Sequence, residues 1–182
     1  MKGDIAEVRT GEGKIRLFVA IDRTSKFAYV ELHERAGKAV AAQFLRNLIA
    51  AMPYRIHTAL TDNGIQFTNR KQDRFAFEHI FSRVCREHGI DQRLTKVNHP
   101  WTNGQVERMN RTIKEATVKR YHYDTHSQLE THVTDFIAAY NYARRLKTLQ
   151  GLTPFECICK IWTNEPDRFN VDPTHHTLGL NS

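Results

Sequence analysis

The stretch IRLFVAIDRTSKFAYVEL, residues 15–32, decides how the chain begins to fold. β-Branched and aromatic residues lie on both sides of the polar segment DRTSK, and two such runs around a turn are typical of an antiparallel hairpin. The preceding residues IAEVRT, with the turn GEGK after them, predict a short first strand. The sequence therefore predicts three antiparallel strands at the start of the chain.

Helices and two further strands are predicted after this hairpin. Apolar residues recur at helical spacing over residues 37–52, and Pro53 ends the pattern. The segment RIHTALTDNG predicts a buried strand that runs into a turn, and DQRLTKV predicts another short strand. The other expected helices cover residues 75–88, about 105–121, about 127–146 and a short segment from Pro154. Antiparallel strands followed by helical crossovers predict an α/β fold with a mixed sheet.

Size and charge limit the function only broadly. The 182 residues fit one domain, and a net charge of +7 with a pI of about 9.5 suits a phosphate-rich partner without requiring one. No apolar stretch is long enough to cross a membrane and no secretion leader is visible, so a cytoplasmic protein is expected. Periodicity is lost after residue 162, so we expect a core over residues 1–162 and a C-terminal tail over residues 163–182.

The cysteines and histidines give little support for a metal or disulfide framework. Cys85, Cys157 and Cys159 are odd in number, which favours reduced thiols. His122 and His126 have a spacing found in zinc modules, but the two neighbouring cysteines are separated by one residue instead of two. We therefore do not expect a structural zinc site.

Asp62 is the first candidate functional residue. In ALTDNGIQF an apolar strand ends at this aspartate, and Asn63-Gly64 then turns the chain away. This position presents a carboxylate at the carboxyl end of a strand, where α/β folds generally bind their ligands. The alternative is that Asp-Asn-Gly is simply a favourable turn sequence.

Glu107 is the second candidate, on the helix that follows the loop NHPWTNG. Glu107, Arg111 and Lys114 recur at helical spacing and form a charged column away from the apolar stripe that begins with Val106 and Met109. The alternative is a solvated helix with an ordinary Glu-Arg pair. Clustered carboxylates flanked by basic residues favour a divalent cation such as Mg²⁺, which neutralises the acids, beside bound phosphates.

Three blocks of the chain together resemble one protein family. HTALTDNGIQF, NHPWTNGQVERMNRTIK and LKTLQGLTPFE are similar to the integrase-core (DDE) transposases of bacterial insertion sequences, which are relatives of retroviral integrases. The resemblance covers about residues 4–162. It implies an RNase H-like fold with an active-site triad of two aspartates and one glutamate.

The resemblance assigns the triad to positions of this chain. Asp62 matches the second aspartate and Glu107 the glutamate, and the first aspartate is expected on the opening strand. Asp4 in KGDIAEVRT is the favoured residue. Asp22 in VAIDRTSK is the alternative, although its position beside a hairpin turn suits a capping acid better.

The resemblance also implies a reaction, cofactors and partners. The triad is expected to bind two Mg²⁺ or Mn²⁺ ions, so that water nicks DNA at a transposon end and the 3′-hydroxyl then attacks the target DNA. Arg111 and Lys114 are expected to contact DNA phosphates, whereas Asn103 and Gly104 let the preceding loop close over substrate. A homo-oligomer in the bacterial cytoplasm is implied, associated with the nucleoid when bound to DNA.

Two other functions are kept open by the sequence. Only three residues precede Asp4 and no helix-turn-helix region is visible before it, so an N-terminally short core is expected. Such a chain could be a catalytically inactive DNA-binding or multimerising fragment. The other alternative is a nuclease that cleaves without joining, against which the block NGQVERMNRT favours the transposase.

Overall fold

The computed structural model describes residues 1–73, 77–95 and 104–175. A five-stranded sheet has the order β3-β2-β1-β4-β5. The first three strands pair antiparallel, whereas β4 runs parallel to β1 and to β5, so the sheet is mixed as predicted. The strands are β1 Lys2–Thr10, β2 Gly13–Ile21, β3 Ala28–His33, β4 Thr58–Thr61 and β5 Asp91–Leu94.

Strand β1 begins three residues before the predicted strand and is paired along both edges. Its whole length pairs with β2, and on the other edge Lys2 lies opposite Leu60 of β4. The Leu60 N–H donates to the Met1 carbonyl at 3.0 Å. Parallel segments keep their register, so Asp4 and Asp62, each two residues further along, lie opposite one another. The pairing of β1 with β4 therefore brings the two predicted aspartates to neighbouring positions.

Helices cover both faces of the sheet. They are α1 Lys38–Ala51, α2 Ile80–Glu87, α3 Gly104–Ala116, α4 His126–Tyr142 and α5 Pro154–Asn164. Alternate residues of β2 point to opposite faces, so Phe18 packs with α1 and α2 while Val19 packs with α3 and α4. None of the helices within the described parts of the chain is both long and apolar enough to span a membrane.

The ends of several helices differ from the predicted ones. Helix α3 was expected to continue to residue 121 but ends at Ala116, where the buried Thr117 hydroxyl donates to the Ile113 carbonyl at 2.7 Å. Helix α2 begins at Ile80, later than the predicted residue 75, and residues 74–76 lie outside the described residues. The apolar periodicity alone does not determine these ends.

The segment after α5 packs against the core. Phe169 forms an isolated antiparallel bridge with Tyr54, and their rings meet edge to face with centroids 5.7 Å apart. The Arg55 N–H donates to the Arg168 carbonyl at 3.1 Å, and the Asn170 N–H donates to the Pro53 carbonyl at 2.8 Å. These contacts place residues 166–171 beside the chain that leads into β4.

Candidate active site

The turn after β4 holds Asp62 at the edge of the sheet. The Gly64 N–H donates to Asp62 Oδ1 at 2.8 Å, and the Asn63 side chain donates to the Thr95 carbonyl at 2.9 Å. A Cβ at Gly64 would lie 2.9 Å from Asp62 Oδ1 and 2.7 Å from Gln66 Oε1, closer than real Cβ atoms approach. The glycine therefore allows the close approach that fixes the Asp62 carboxylate. The Asp-Asn-Gly sequence therefore forms the turn and also holds the Asp62 carboxylate in place.

Asp4 is held from the opposite side by helix α3. The Asn110 side-chain amide donates to Asp4 Oδ2 at 2.6 Å, and Asn110 is only 6% exposed. Its own Oδ1 is buried and has no hydrogen-bond partner among the described residues. A buried amide oxygen without a partner is unusual in native proteins and is available to a donor or a cation.

Sequence analysis missed Asn110, although its position carries a signal. It follows Glu107 by three residues and Val106 by four, so it lies at the border between the charged column and the apolar stripe of α3. A polar residue on that border faces the sheet instead of solvent. Only the packing of α3 on β1 shows that Asp4 is its partner.

The ionisation of Asp4 depends on its burial and on the other two predicted carboxylates. Burial is the largest cause that raises the pKa of Asp4 above its usual value. The negative charges of Asp62 and Glu107 raise this pKa further, whereas hydrogen bonds from the Ile5 N–H and from Asn110 lower it. Because like charges disfavour ionisation of a neighbour, the contributions of Asp62 and Glu107 indicate that both acids lie near Asp4.

Glu107 occupies the first turn of α3 and is exposed to solvent, whereas Asp4 and Asp62 are partly buried. Within the described parts of the chain, no three His, Cys, Asp or Glu side chains form a ready-made cage for a metal ion. Mg²⁺ does not require one, because it usually keeps several waters and uses one or two carboxylates together with substrate phosphates. The carboxylate oxygens of Asp4 on β1 and of Asp62 after β4, together with the unpaired Asn110 oxygen, are ligands of the type that Mg²⁺ uses.

Asp22, the alternative first aspartate, faces its own turn between β2 and β3. Its Oδ2 accepts hydrogen bonds from the Ser25 N–H at 2.8 Å and from the Ser25 hydroxyl at 2.7 Å. The carboxylate therefore caps this turn. The structure brings Asp4, and not Asp22, beside Asp62.

The predicted DNA-binding residues lie at the start and on the outer face of α3. Arg111 is exposed and Lys114 is half-buried, and neither forms an ion pair with a carboxylate in the described residues. Gly104 is the first residue of α3, whereas Asn103 lies outside the described residues. Two unpaired cations thus extend the column that starts at Glu107.

The histidines with zinc-like spacing have separate partners. His126 Nδ1 lies 2.8 Å from the Thr10 hydroxyl, which joins the β1–β2 turn to the start of α4. His122 is exposed and lies 3.4 Å from the Asp124 carboxylate.

Comparison with known families identifies the domain family of the chain. A profile of the integrase core domain matches residues 1–100, and a second integrase core domain profile matches residues 88–154. The chain belongs to the integrase core domain family. The resemblance that the sequence predicted is confirmed.

Relatives of this integrase core domain include viral and bacterial proteins. The Pol polyprotein of Radiation murine leukemia virus is 32% identical over 164 residues, which cover 85% of this chain and 25% of that protein. A putative transposase, InsK for insertion sequence element IS150 of Escherichia coli, is 26% identical over 155 residues, which cover 84% of this chain and 52% of the transposase. The chain thus spans at most about half the length of these curated relatives.

A solved structure shows the same fold. The HTLV-2 integrase catalytic core domain in complex with magnesium superposes with a TM-score of 0.65 at 18% identity, covering 86% of this chain and 93% of that domain. The mixed sheet with helices on both faces is therefore the RNase H-like fold that was predicted.

Proposed function

We propose that this integrase core domain cleaves DNA and joins the resulting strand to target DNA, as the catalytic part of a transposase. The observation that carries the proposal is that Asp4 on β1 and Asp62, directly after β4, lie at neighbouring positions, with the charge of Glu107 acting on Asp4. Family membership supports the same reaction class. Acids that repel one another at a sheet edge favour cation binding over a purely structural role.

Asp4, Asp62 and Glu107 are the residues that would hold the cations. Two bound Mg²⁺ or Mn²⁺ ions would supply activation of the attacking oxygen and neutralisation of the leaving oxygen. The chain itself fixes Asp4 through β1 and Asp62 through the Gly64 turn. Glu107, on an exposed helical turn, closes the site from the side of α3.

Asn110 would act as a positioning residue for Asp4. Its amide holds one carboxylate oxygen at 2.6 Å and stabilises the ionised acid, which opposes the effect of burial. A group that orients a metal ligand commonly changes metal affinity or activity 10–100-fold when it is removed.

Arg111 and Lys114 would hold the DNA, together with Asn103 and with Gly104 at the start of α3. The two cations follow Glu107 along one face of α3, so a strand bound at the acids passes beside them. Phosphate contacts of this kind position DNA without reading its sequence. Transposon ends and target DNA would be brought together by a homo-oligomer, and the reaction would take place in the bacterial cytoplasm.

The test is a strand-transfer assay with Mg²⁺ or Mn²⁺ and a duplex taken from the end of the DNA element that encodes the chain. We expect joined products from the wild-type chain and none from Asp62→Asn, while Asp22→Asn remains active. Cleavage without joined products would favour a nuclease. DNA binding without either product would favour an inactive DNA-binding fragment.

A further inference from the structure

A cavity of about 190 Å³ lies at the end of the sheet where β1 and β4 begin. Its walls come from the turn between β2 and β3, from the chain that leads into β4, and from α5 with the segment after it. The turn pocket, as we call this cavity, is defined by Arg23, Ser25, Tyr54, Arg55, His57 and Arg168. None of the three carboxylates of the proposed active site lines it.

Tyr54 gives the turn pocket an unpaired donor. Its hydroxyl is shielded from solvent and lies near Ser25, but it makes no hydrogen bond of acceptable geometry with a described residue. Burial, aided by the charge of Asp22, raises the pKa of Tyr54 well above its usual value, so the hydroxyl keeps its proton. An unpaired buried hydroxyl destabilises the free protein, and a ligand oxygen in the cavity would remove this penalty.

Two arginines on the rim are available to an anion. Arg23 and Arg55 are exposed and have no ion pair with a carboxylate in the described residues. Arg55 makes one long hydrogen bond, 3.4 Å from its Nε to Asn170 Oδ1. By contrast, Arg168 on the same rim is already paired with Glu165 at 2.9 Å.

The negative charge on the pocket wall belongs to Asp22, whose carboxylate accepts hydrogen bonds from its own turn. Asp22 accepts two hydrogen bonds from Ser25 at Oδ2, at 2.8 Å and 2.7 Å. These donors neutralise the carboxylate in part, so Arg23 and Arg55 dominate the charge that a ligand meets at the rim.

The turn pocket is close to the proposed active site. Met1, which lines the pocket, precedes Asp4 by three positions, and at a rise of 3.3 Å per residue this is about 10 Å. Gln105 Nε2 in the first turn of α3 lies 3.5 Å from the Asp22 carbonyl, so the same turn borders both sites. Each strand of B-DNA carries one phosphate about every 3.4 Å along the axis, so a strand held at the acids has further phosphates within this distance.

We propose that the turn pocket binds a backbone phosphate of the DNA strand held at Asp4 and Asp62, with Arg23 and Arg55 as its charge partners and the Tyr54 hydroxyl donating to a phosphate oxygen. The inference rests on the proposed function because it takes DNA as the substrate. A contact of this kind fixes the direction in which the strand crosses the sheet, and it adds affinity without sequence preference.

The test measures how the affinity for a fluorescent 30-base-pair duplex depends on salt, by anisotropy in EDTA. We expect the double variant Arg23→Ala/Arg55→Ala to weaken binding by about tenfold and to reduce the slope of log K against log salt by about 0.9, the value for one phosphate. Tyr54→Phe removes only a neutral donor, so affinity falls several-fold at an unchanged slope. Arg9→Ala is the matched control, because Arg9 is 70% exposed at the far end of β1 and should change neither quantity.

An unchanged slope in the double variant would overturn the proposal, and so would an equal loss in Arg9→Ala, which would show general attraction to a basic surface. Unchanged affinity of Tyr54→Phe would also overturn the proposal, because the phosphate would then contact the arginines outside the pocket. Binding of inorganic phosphate, measured by calorimetry, with no change in the DNA slope would assign the pocket to a free anion instead. Mn²⁺ binding by the same variants distinguishes failure of the turn-pocket proposal from failure of the proposed function. The turn-pocket variants should still bind Mn²⁺ whether or not the salt dependence of DNA binding changes.

Discussion

Asn110 of α3 donates a hydrogen bond of 2.6 Å to the carboxylate of Asp4 on β1, a residue 106 positions earlier in the chain. This contact joins the helix that carries Glu107 to the strand that carries Asp4. The site therefore depends on the packing of α3 against the sheet as much as on its own acids. Changes in the strand, the turn and the helix that form the site should therefore each affect its function.

Replacing Asn110 by alanine should reduce strand transfer by about 10–100-fold, the range found for groups that orient metal ligands. The hydrogen bond from Asn110 lowers the pKa of Asp4, so its removal should raise that pKa. The acidic limb of the pH–rate profile should then move to higher pH, which a loss of packing alone would not cause. Asn164→Ala, an exposed asparagine at the end of α5, is the control and should leave the profile unchanged.

Asp4→Asn should stabilise the chain near neutral pH in the absence of divalent cations. The pKa of Asp4 is raised in the folded chain, so the fold disfavours its ionised form, and this penalty is absent below the unfolded-state pKa. It develops as pH rises through the raised folded pKa, so the melting temperature of the variant should exceed that of the wild type at pH 7. The two should converge below about pH 4, near the unperturbed pKa of aspartate. A variant less stable than the wild type at pH 7 would contradict the raised pKa of Asp4 in the folded chain.

Gly64→Ala should remove activity while leaving the fold in place. The added Cβ would lie 2.9 Å from Asp62 Oδ1, so the carboxylate must move. A misplacement of about 1 Å can reduce a rate by about 10²-fold. Gly37→Ala is the matched control, because a Cβ there meets nothing within 4 Å. Strand transfer and circular dichroism of both variants measure the outcome, and an active Gly64→Ala chain would contradict the role of this turn.

Arg111→Ala and Lys114→Ala should each weaken DNA binding by a similar factor for every sequence tested. If each contacts one phosphate, each should also reduce the slope of log K against log salt by about 0.9. Lys119→Ala is the control nearby, because Lys119 lies 3.9 Å from Glu115 and is partly neutralised. Loss of preference for one sequence over another would instead indicate contact with base edges.

The sequence predicted those parts of the fold that short segments determine. The hairpin of β2 and β3 and the turn at Asp62 depend on residues that are neighbours in the chain, so patterns of apolar and turn residues indicate them. Asp62 and Glu107 were named for the same reason, because each lies within a local motif.

Contacts between distant segments could not be predicted in this way. The position of Asn110 on the border of an apolar stripe is visible, but its partner Asp4 depends on how α3 crosses the sheet. The bridge between Phe169 and Tyr54 was missed because the segment after α5 has no periodic pattern. The Thr117 N–H still donates to the Ile113 carbonyl, but the Lys119 N–H then donates to the Lys114 carbonyl, and the apolar pattern does not show where this change occurs.

Calorimetric titration of Mn²⁺ tests the central claim most directly. We expect the wild-type chain and Asp22→Asn to bind Mn²⁺, Asp4→Asn and Asp62→Asn to lose the heat of binding, and Glu107→Gln to bind more weakly. This pattern follows if the cations are held by Asp4 on β1, by Asp62 in the turn after β4 and by Glu107 of α3. A wild-type chain that binds no Mn²⁺ would contradict the account, and so would loss of binding in Asp22→Asn but not in Asp4→Asn.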